Sequence, residues 1–484
     1  MNRGDQRSLP PAIYGVAAGV VGLLLIVSSR YGFHRDELYF VAAGRRLAWG
    51  FVDQPPLTPM IARLGDLAPG SVGPVVLRIL PAISAGAVVV LTALLARRFG
   101  GGRMATVFAA LFAAVAGFFL GVGHLLSTTT FDVLIWTIVI VMVAALIDGV
   151  DPRWWLAVGA VVGIGMLNKF TVVAIVVGLG LGLLATPQRV ILRSPWLAGG
   201  IGLAALIASP TLAWQATNGW PQLEMSSAIS GRDGPADYIL IQMAIVSLFL
   251  VVPVVAGWWR LTFDDKGRQW RAFPIAFVVL FIAFLATGGK GYYVAPLYLP
   301  LLASGALWYA DLRLGTRRSL GALVAVGAVI GLLLALPVVP PASVGAFNEV
   351  NGELGETHGW PELVDQVEAV YLAIPQAQRS ETVIFTSNYG QAGAIEVLGR
   401  GRLPQPISGH NSYWSWGTSE SLGPIIGIGW VDEQLRNICP QVDRVGVITN
   451  AAGLENDEYG TSIWLCAEPT VPLADIWDDV RHFD

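Results

Sequence analysis

YGFHRDELYFVAAGRRLAWGFVDQPPLTP, running from Tyr31 to Pro59, decides how the rest of the chain is read. It packs His34, Arg35, Asp36, Glu37, Arg45, Arg46 and Asp53 behind an uncharged apolar segment, in a protein whose charged fraction is only 13%. A helix lying on a bilayer surface would account for the arginines, with Leu38, Phe40, Val41 and Leu47 beneath them. It leaves unexplained the adjacent acids at the start and a third acid before a Pro-Pro turn, because ionisable groups at a membrane edge are costly and usually functional.

On either side of this stretch the chain is apolar. Its 484 residues are 54% hydrophobic, with a mean hydropathy of +0.61 and only 30 Lys plus Arg. This is the composition of a polytopic membrane protein with a soluble appendage. Runs long enough for a helix to cross hydrocarbon are expected at 11–29, 75–96, 104–121, 131–148, 154–168, 171–186, 196–213, 238–259, 272–286, 294–310 and 319–338, eleven spans in all. The first is expected to stay as a helix, since no small-residue cleavage site follows Ser29.

Basic residues set the expected orientation. Arg3, Arg7, Arg97, Arg98, Arg103, Arg153, Arg189, Arg193, Arg260, Lys266, Arg268, Arg271, Arg313, Arg317 and Arg318 fall on one side, fifteen in all, against Lys169, Arg232 and Lys290 in the opposite short loops outside the first loop. By the positive-inside rule the fifteen are cytoplasmic. The N-terminus is then cytoplasmic, and the first loop (30–74) and C-terminal domain face outward. Gly and Ala within GVVGIGMLNKF and VGLGLGLLA suit closely packed helices. His124 and Asp132 in GHLLSTTTFDVLIW, and Lys169 in MLNKFT, stand at membrane edges, where a polar cavity and a capping or interhelical hydrogen bond are both open readings.

The composition changes near residue 340, dividing a membrane module (1–339) from a soluble domain (340–484). The domain's twenty acids outnumber its six bases, which argues against nucleic acid as a partner. WPELVDQVEAVYLAI reads as an amphipathic helix, TVIFTS as a buried strand, YGQAGAIEVLG as the next helix, and DRVGVITN and SIWLCA as strands, an α/β pattern. TSNYGQAG lacks the GxGxxG spacing and the Lys of a nucleotide-binding turn. The only cysteines, Cys439 and Cys466, lie here. Facing outward and without metal-type spacing they are expected to form a disulfide, with two buried thiols as the alternative. SGHNSYWSWG at 408–417 is a polar-aromatic loop suited to sugars through His410, Asn411, Trp414 and Trp416, or equally to packing on a membrane surface.

Together these pieces resemble the GT-C glycosyltransferases, in particular the protein O-mannosyltransferase and lipid A aminoarabinose transferase branch. Asp36, Glu37 and Tyr39 in RDELYF match the acid pair and Tyr that open that branch's first outward loop. Asp53 in VDQPPL matches its second acid before Pro, although Gln54 stands where the aminoarabinose enzymes have Lys. Asp132 matches an acid at the start of the fourth span, Lys169 a Lys in an LTKG-like turn, and Lys290 in KGYYVAPLYLP a Lys before a YxLP run.

The resemblance implies a polytopic helical GT-C protein with an extracytoplasmic α/β domain, in a bacterial inner membrane. It would move a sugar from a polyprenyl phosphate to a hydroxyl of a cell-envelope lipid, polysaccharide or protein, with inversion. Catalytic candidates are Asp36, Asp53 and Glu37; Lys169, Lys290 and Tyr39 would serve the donor phosphate; His124, Asp132, His410, Asn411, Trp414 and Trp416 would meet acceptor or sugar. A carboxylate suits the general base and isolated cations suit the leaving phosphate. If Asp36 and Glu37 lie on a helix they point about 100° apart, so one job is not shared between them. Asp36, Asp53 and His124 could converge on a divalent metal, but their spacing is no recognisable ligand pattern. A transporter of lipid-linked sugars is the rival reading, weakened because no repeat of spans and no paired broken helices are visible. A sugar-binding scaffold is a third, and it leaves the membrane charges without a purpose.

Overall fold

The apolar runs do form helices, and each of the eleven expected spans falls on a helix or a pair of them. The structure, a computed structural model, describes residues 8–68, 72–232, 234–348, 350–430 and 432–483. Arg3 and Arg7 of the orientation count, residues 69–71 of the first loop, and Glu349 and Asp484 of the acid count lie outside the described residues.

The chain packs as two units. The first comprises Met1–Val27, Arg78–Gly219 and Ser230–Leu336, and is all helical. Among the described residues five helices are long and apolar enough to cross a bilayer: Pro74–Arg98, Thr128–Ile147, Pro195–Thr217, Arg268–Thr287 and Leu314–Ala335. Two bent pairs raise the number to seven, Arg103–Val115 with Gly117–His124 at 60° and Pro235–Val246 with Leu248–Phe263 at 86°; Pro11–Val27, Trp154–Met166 and Val172–Leu184 are apolar but shorter. By this measure the count of eleven is not reached: two runs bend, three are short, and the run at 294–310 is a 3-10 segment followed by the 14-residue helix Tyr298–Asp311.

The bends have no proline at the break. Ser247 sits at φ 61°, a left-handed conformation that costs a non-glycine residue about 1–3 kcal/mol, and its Oγ accepts the Gly117 amide of the other broken helix at 3.1 Å. Elsewhere glycines let helices touch. A Cβ on Gly159 would stand 2.0 Å from the Gly200 carbonyl oxygen, and one on Gly257 1.9 Å from that of Leu301. Outward, Ile201, Leu206 and Val329 are 63%, 68% and 60% exposed. Apolar faces of this extent cannot be left in water, and the fully hydrogen-bonded helix is what hydrocarbon tolerates. The protein is an integral membrane protein.

The second unit joins Ser28–Leu77 and Trp220–Ile229 to Pro337–Asp484. Sequence composition cuts the chain once near residue 339; packing instead groups the first loop with the C-terminal part. Five strands, β1 (Val383–Thr386), β2 (Pro406–Ser408), β3 (Ile425–Ile428), β4 (Val442–Val447) and β5 (Ser462–Cys466), form a sheet in the order β2-β1-β3-β5-β4. β1 is parallel to β2 and β3, while β5 runs antiparallel to β3 and β4. All four residues of β1 are buried, and Phe385, Ile425, Leu435, Leu473 and Trp477 build the core around the Cys439–Cys466 disulfide. The helix Tyr389–Leu398 follows β1, its first turn capped by Asn388, whose side chain accepts the Gln391 amide at 2.9 Å.

That helix packs directly on the charged helix Arg35–Arg45. A Cβ on Gly393 would stand 3.1 Å from the Leu38 carbonyl carbon and the Tyr39 nitrogen, and one on Gly390 3.1 Å from Arg35 Cβ. Two small residues one turn apart therefore set the distance between the two helices.

Candidate active site

The helix Arg35–Arg45 begins with a reciprocal cap. His34 Nδ1 accepts the Asp36 amide at 3.2 Å, and Glu37 Oε2 accepts the His34 amide at 2.9 Å. Glu37 is fully buried. Its carboxylate serves the helix start, a different task from the catalytic one expected of it. Asp36, a third of a turn earlier, is only partly buried, and both acids sit where the helix dipole favours negative charge.

Two carboxylates of this unit are each held by a phenol. Asp36 Oδ1 accepts the Tyr389 hydroxyl at 2.8 Å; Asp53 Oδ1 accepts the Tyr39 hydroxyl at 2.6 Å and the Ser412 hydroxyl at 3.4 Å. The rings of Tyr39 and Tyr389 are 5.0 Å apart, and Tyr39 stacks on Trp416 at 5.8 Å. Burial pushes the Asp53 carboxyl up to about 6, with the Tyr39 hydrogen bond opposing that rise and the charge of Asp36 adding to it. Burial, followed by the facing carboxylates, holds the Tyr39 and Tyr389 phenols well above their ordinary value, so both are donors at neutral pH. Tyr39, expected at a phosphate, is thus engaged by Asp53.

Next to Asp53, Gln54 is 2% exposed and neither of its side-chain polar atoms has a hydrogen-bond partner. A buried amide left unmatched costs about 1–3 kcal/mol and calls for an explanation. On the far side of the tyrosines, Glu396 accepts Arg46 at 2.8 Å and the Tyr413 hydroxyl at 3.1 Å, with the Arg46 guanidinium 4.5 Å from the Trp416 ring centre. Trp416 therefore joins the carboxylate cluster, its ring engaged by Tyr39 and Arg46. Trp414 does not: it and Trp477 exchange indole-to-carbonyl hydrogen bonds at 3.0 and 2.9 Å against the domain core. His410 stacks on His482 at 4.4 Å, and Asn411 is buried at φ 48°.

A salt-bridged rim surrounds the start of the helix. Arg35 faces Asp457 at 3.3 Å and Glu356 at 3.8 Å, and His34 Nε2 meets Glu353 at 3.1 Å. Burial raises the Glu356 carboxyl to about 7, with Arg35 opposing. For His34 burial disfavours the charged ring, but Glu353, Asp36 and Glu37 outweigh it and the net shift is upward.

The other unit holds a second polar group. Lys169 Nζ donates to Thr129 Oγ1 at 3.2 Å and lies 5.2 and 4.9 Å from the ring centres of Tyr292 and Tyr293. These tyrosines follow Lys290 in KGYY, so the two expected phosphate cations are brought to one neighbourhood. Asp132 joins them through Thr171, whose hydroxyl it accepts at 2.8 Å. His124 instead faces Arg78, a 1% exposed arginine, at 3.4 Å. Among the described residues no group of three or more His, Cys, Asp or Glu is arranged to hold a metal.

Sequence reasoning missed Tyr389, Ser412, Tyr413, Glu396, Glu356 and Arg78. TSNYGQAG and SYWSWG stand out in the sequence as segments, but their hydroxyls carry no charge to mark them. Arg78 stands inside an expected span, where its charge is the available signal.

A family model described as dolichyl-phosphate-mannose-protein mannosyltransferase matches residues 53–214. No curated protein matches the chain. Among solved structures, ArnT from Cupriavidus metallidurans is similar in its apo state (TM-score 0.67) and bound to undecaprenyl phosphate (0.65), each 12% identical and covering 94% of this chain; 97% and 98% of those chains are covered. The archaeal oligosaccharyltransferase AglB from Archaeoglobus fulgidus, in complex with an inhibitory peptide and a dolichol-phosphate, follows at TM-score 0.51 and 13% identity, with 88% and 69% covered. Arabinofuranosyltransferase AftD from Mycobacteria matches at 0.55 and 15%, over 95% of this chain and 42% of that one. The chain has the GT-C glycosyltransferase fold, the one that its order of motifs from Asp36 to Lys290 resembles.

Proposed function

We propose that the protein is an inverting glycosyltransferase that moves a sugar from a polyprenyl-phosphate donor to a hydroxyl of a cell-envelope acceptor, on the outer face of a bacterial inner membrane. The observation that carries this reading is the pair of carboxylates, Asp36 and Asp53, each held by a protonated phenol in a partly buried site. Asp36 takes the acceptor hydroxyl proton, the acceptor oxygen bonds to the anomeric carbon, and the bond from that carbon to the phosphate oxygen breaks with its electron pair leaving on polyprenyl phosphate. Asp53 orients the acceptor. Gln54, with a donor and an acceptor unmatched, is offered to a substrate hydroxyl in place of the Lys-phosphate contact of the aminoarabinose enzymes. Lys169 and Lys290 stabilise the leaving phosphate. The tail, remote from the reacting atoms, supplies binding energy that positions them. ArnT's structure with undecaprenyl phosphate supports a donor of this class.

A transporter of lipid-linked sugars is the second reading, and the two broken helices that meet at Ser247 are what favour it. Purified protein given radiolabelled polyprenyl-phosphate sugars separates the two. A transferase releases or transfers the label, and Asp36→Asn lowers that turnover by about 10²-fold or more while donor affinity stays nearly intact. Labelled lipid that crosses a vesicle membrane with its sugar-phosphate bond intact would establish transport instead.

A further inference from the structure

Asp36 and Tyr389 are 353 residues apart in sequence, yet the phenol oxygen is 2.8 Å from Asp36 Oδ1. The local structure leaves little freedom in that contact. Tyr389 is the first residue of its helix, placed by the Asn388 cap. One turn on, Gly393 brings the helix against the backbone of Leu38 and Tyr39, and Gly390 brings it against Arg35. The ring is flanked by Tyr39 at 5.0 Å and His410 at 4.9 Å, with the Arg35 guanidinium 5.8 Å from its centre. Asp36 itself is held on a capped helix. Both partners are therefore fixed before any substrate arrives.

We propose that Tyr389 is a positioning residue for the base: its hydroxyl ties down Oδ1 of Asp36 and leaves Oδ2 to receive the acceptor proton. This rests on the glycosyltransferase reading above. A carboxylate free to rotate presents either oxygen; one with Oδ1 hydrogen-bonded presents Oδ2 in one direction, and a general base works only when its oxygen lies within hydrogen-bond reach of the proton it takes. The consequence for the C-terminal part is direct. It supplies a side chain that the reacting carboxylate depends on, so its role is not confined to recognising an acceptor.

The test uses the full chain in nanodiscs with a polyprenyl-phosphate sugar that the wild type turns over. If the wild type turns over none, the glycosyltransferase reading fails, whatever Tyr389 does. With an active wild type, Tyr389→Phe keeps the ring between Tyr39 and His410 and removes the hydroxyl alone. The expected result is a kcat lower by about tenfold, the scale of one hydrogen bond to a charged group, with the donor KM unchanged. A double-mutant cycle separates positioning from folding: in the Asp36→Asn background, Tyr389→Phe should cost nothing further, because there is no base left to orient. Equal losses in both backgrounds, or a wild-type kcat in Tyr389→Phe, would overturn the assignment.

Discussion

Asp53 and Gln54 are neighbours that make opposite demands on the fold. Burial lifts the Asp53 carboxyl to about 6, so it is mostly ionised at pH 7 and mostly protonated at pH 5. If the anion orients the acceptor, kcat/KM falls as pH drops through 6, and the residual activity of Asp53→Asn lacks that limb; a limb that persists in the variant would move the titration to another group. Gln54 carries an unmatched amide in a 2% exposed position. Gln54→Leu should therefore leave the melting temperature equal to or above that of wild type, since it removes the desolvation cost of about 1–3 kcal/mol, while transfer declines. Lost stability with full activity would reduce the residue to a packing role. Asp36 and Asp53 stood out in the sequence because acids beside an apolar run need a reason, and the structure gives each a phenol as hydrogen-bond partner. For Glu37 the cap went unread, although an acid three residues after a capping position is the signature of the cap it forms. Tyr389 and Tyr413 were not legible at all, since a phenol looks the same whether it packs or donates.

The 3-10 segment Gly352–Thr357 shows how one short element can tie a helix down at two points, through Glu353 to His34 and through Glu356 to Arg35. Glu356 binds its proton up to about pH 7 in the folded protein but only to its ordinary value of 4.5 when unfolded. The stability this confers is present below 4.5 and is lost as pH rises through 7. Glu356→Gln should flatten the fall in melting temperature between pH 5 and pH 8, as read by thermal unfolding at both pH values; an unchanged slope would place the titration elsewhere. Three of the five strands of the C-terminal part, β1, β4 and β5, were legible from periodicity, β1 as a buried strand above all, whereas the short β2 and β3 were not. The bends at Ala116 and Ser247 were not, because neither has the proline that marks a break in sequence. Trp414, read from its polar neighbours as suited to sugars or equally to a membrane surface, has its indole N–H engaged by Trp477, a contact no sequence pattern marks.

At the scale of the whole molecule, fifteen basic residues against three predict that the C-terminal part lies outside the cytoplasm. A reporter placed in the exposed turn at Ala451 should be active only on that side, and cytoplasmic activity would invert the topology. The general architecture was readable from hydropathy. The grouping of Ser28–Leu77 with Pro337–Asp484 was not, since contacts such as the fit of two glycines to Leu38 and Arg35 have no sequence signal. That grouping also has a temporal meaning. A ribosome delivers the reacting carboxylates first and Tyr389 some 350 residues later, which at about 5–20 residues per second is tens of seconds of elongation. During that interval the nascent chain holds its acids without the phenol that orients one of them, and contacts of such long range are the slow ones to close. On the proposed reading, a nascent chain that has not yet delivered Tyr389 carries its base unoriented and would turn over about tenfold more slowly.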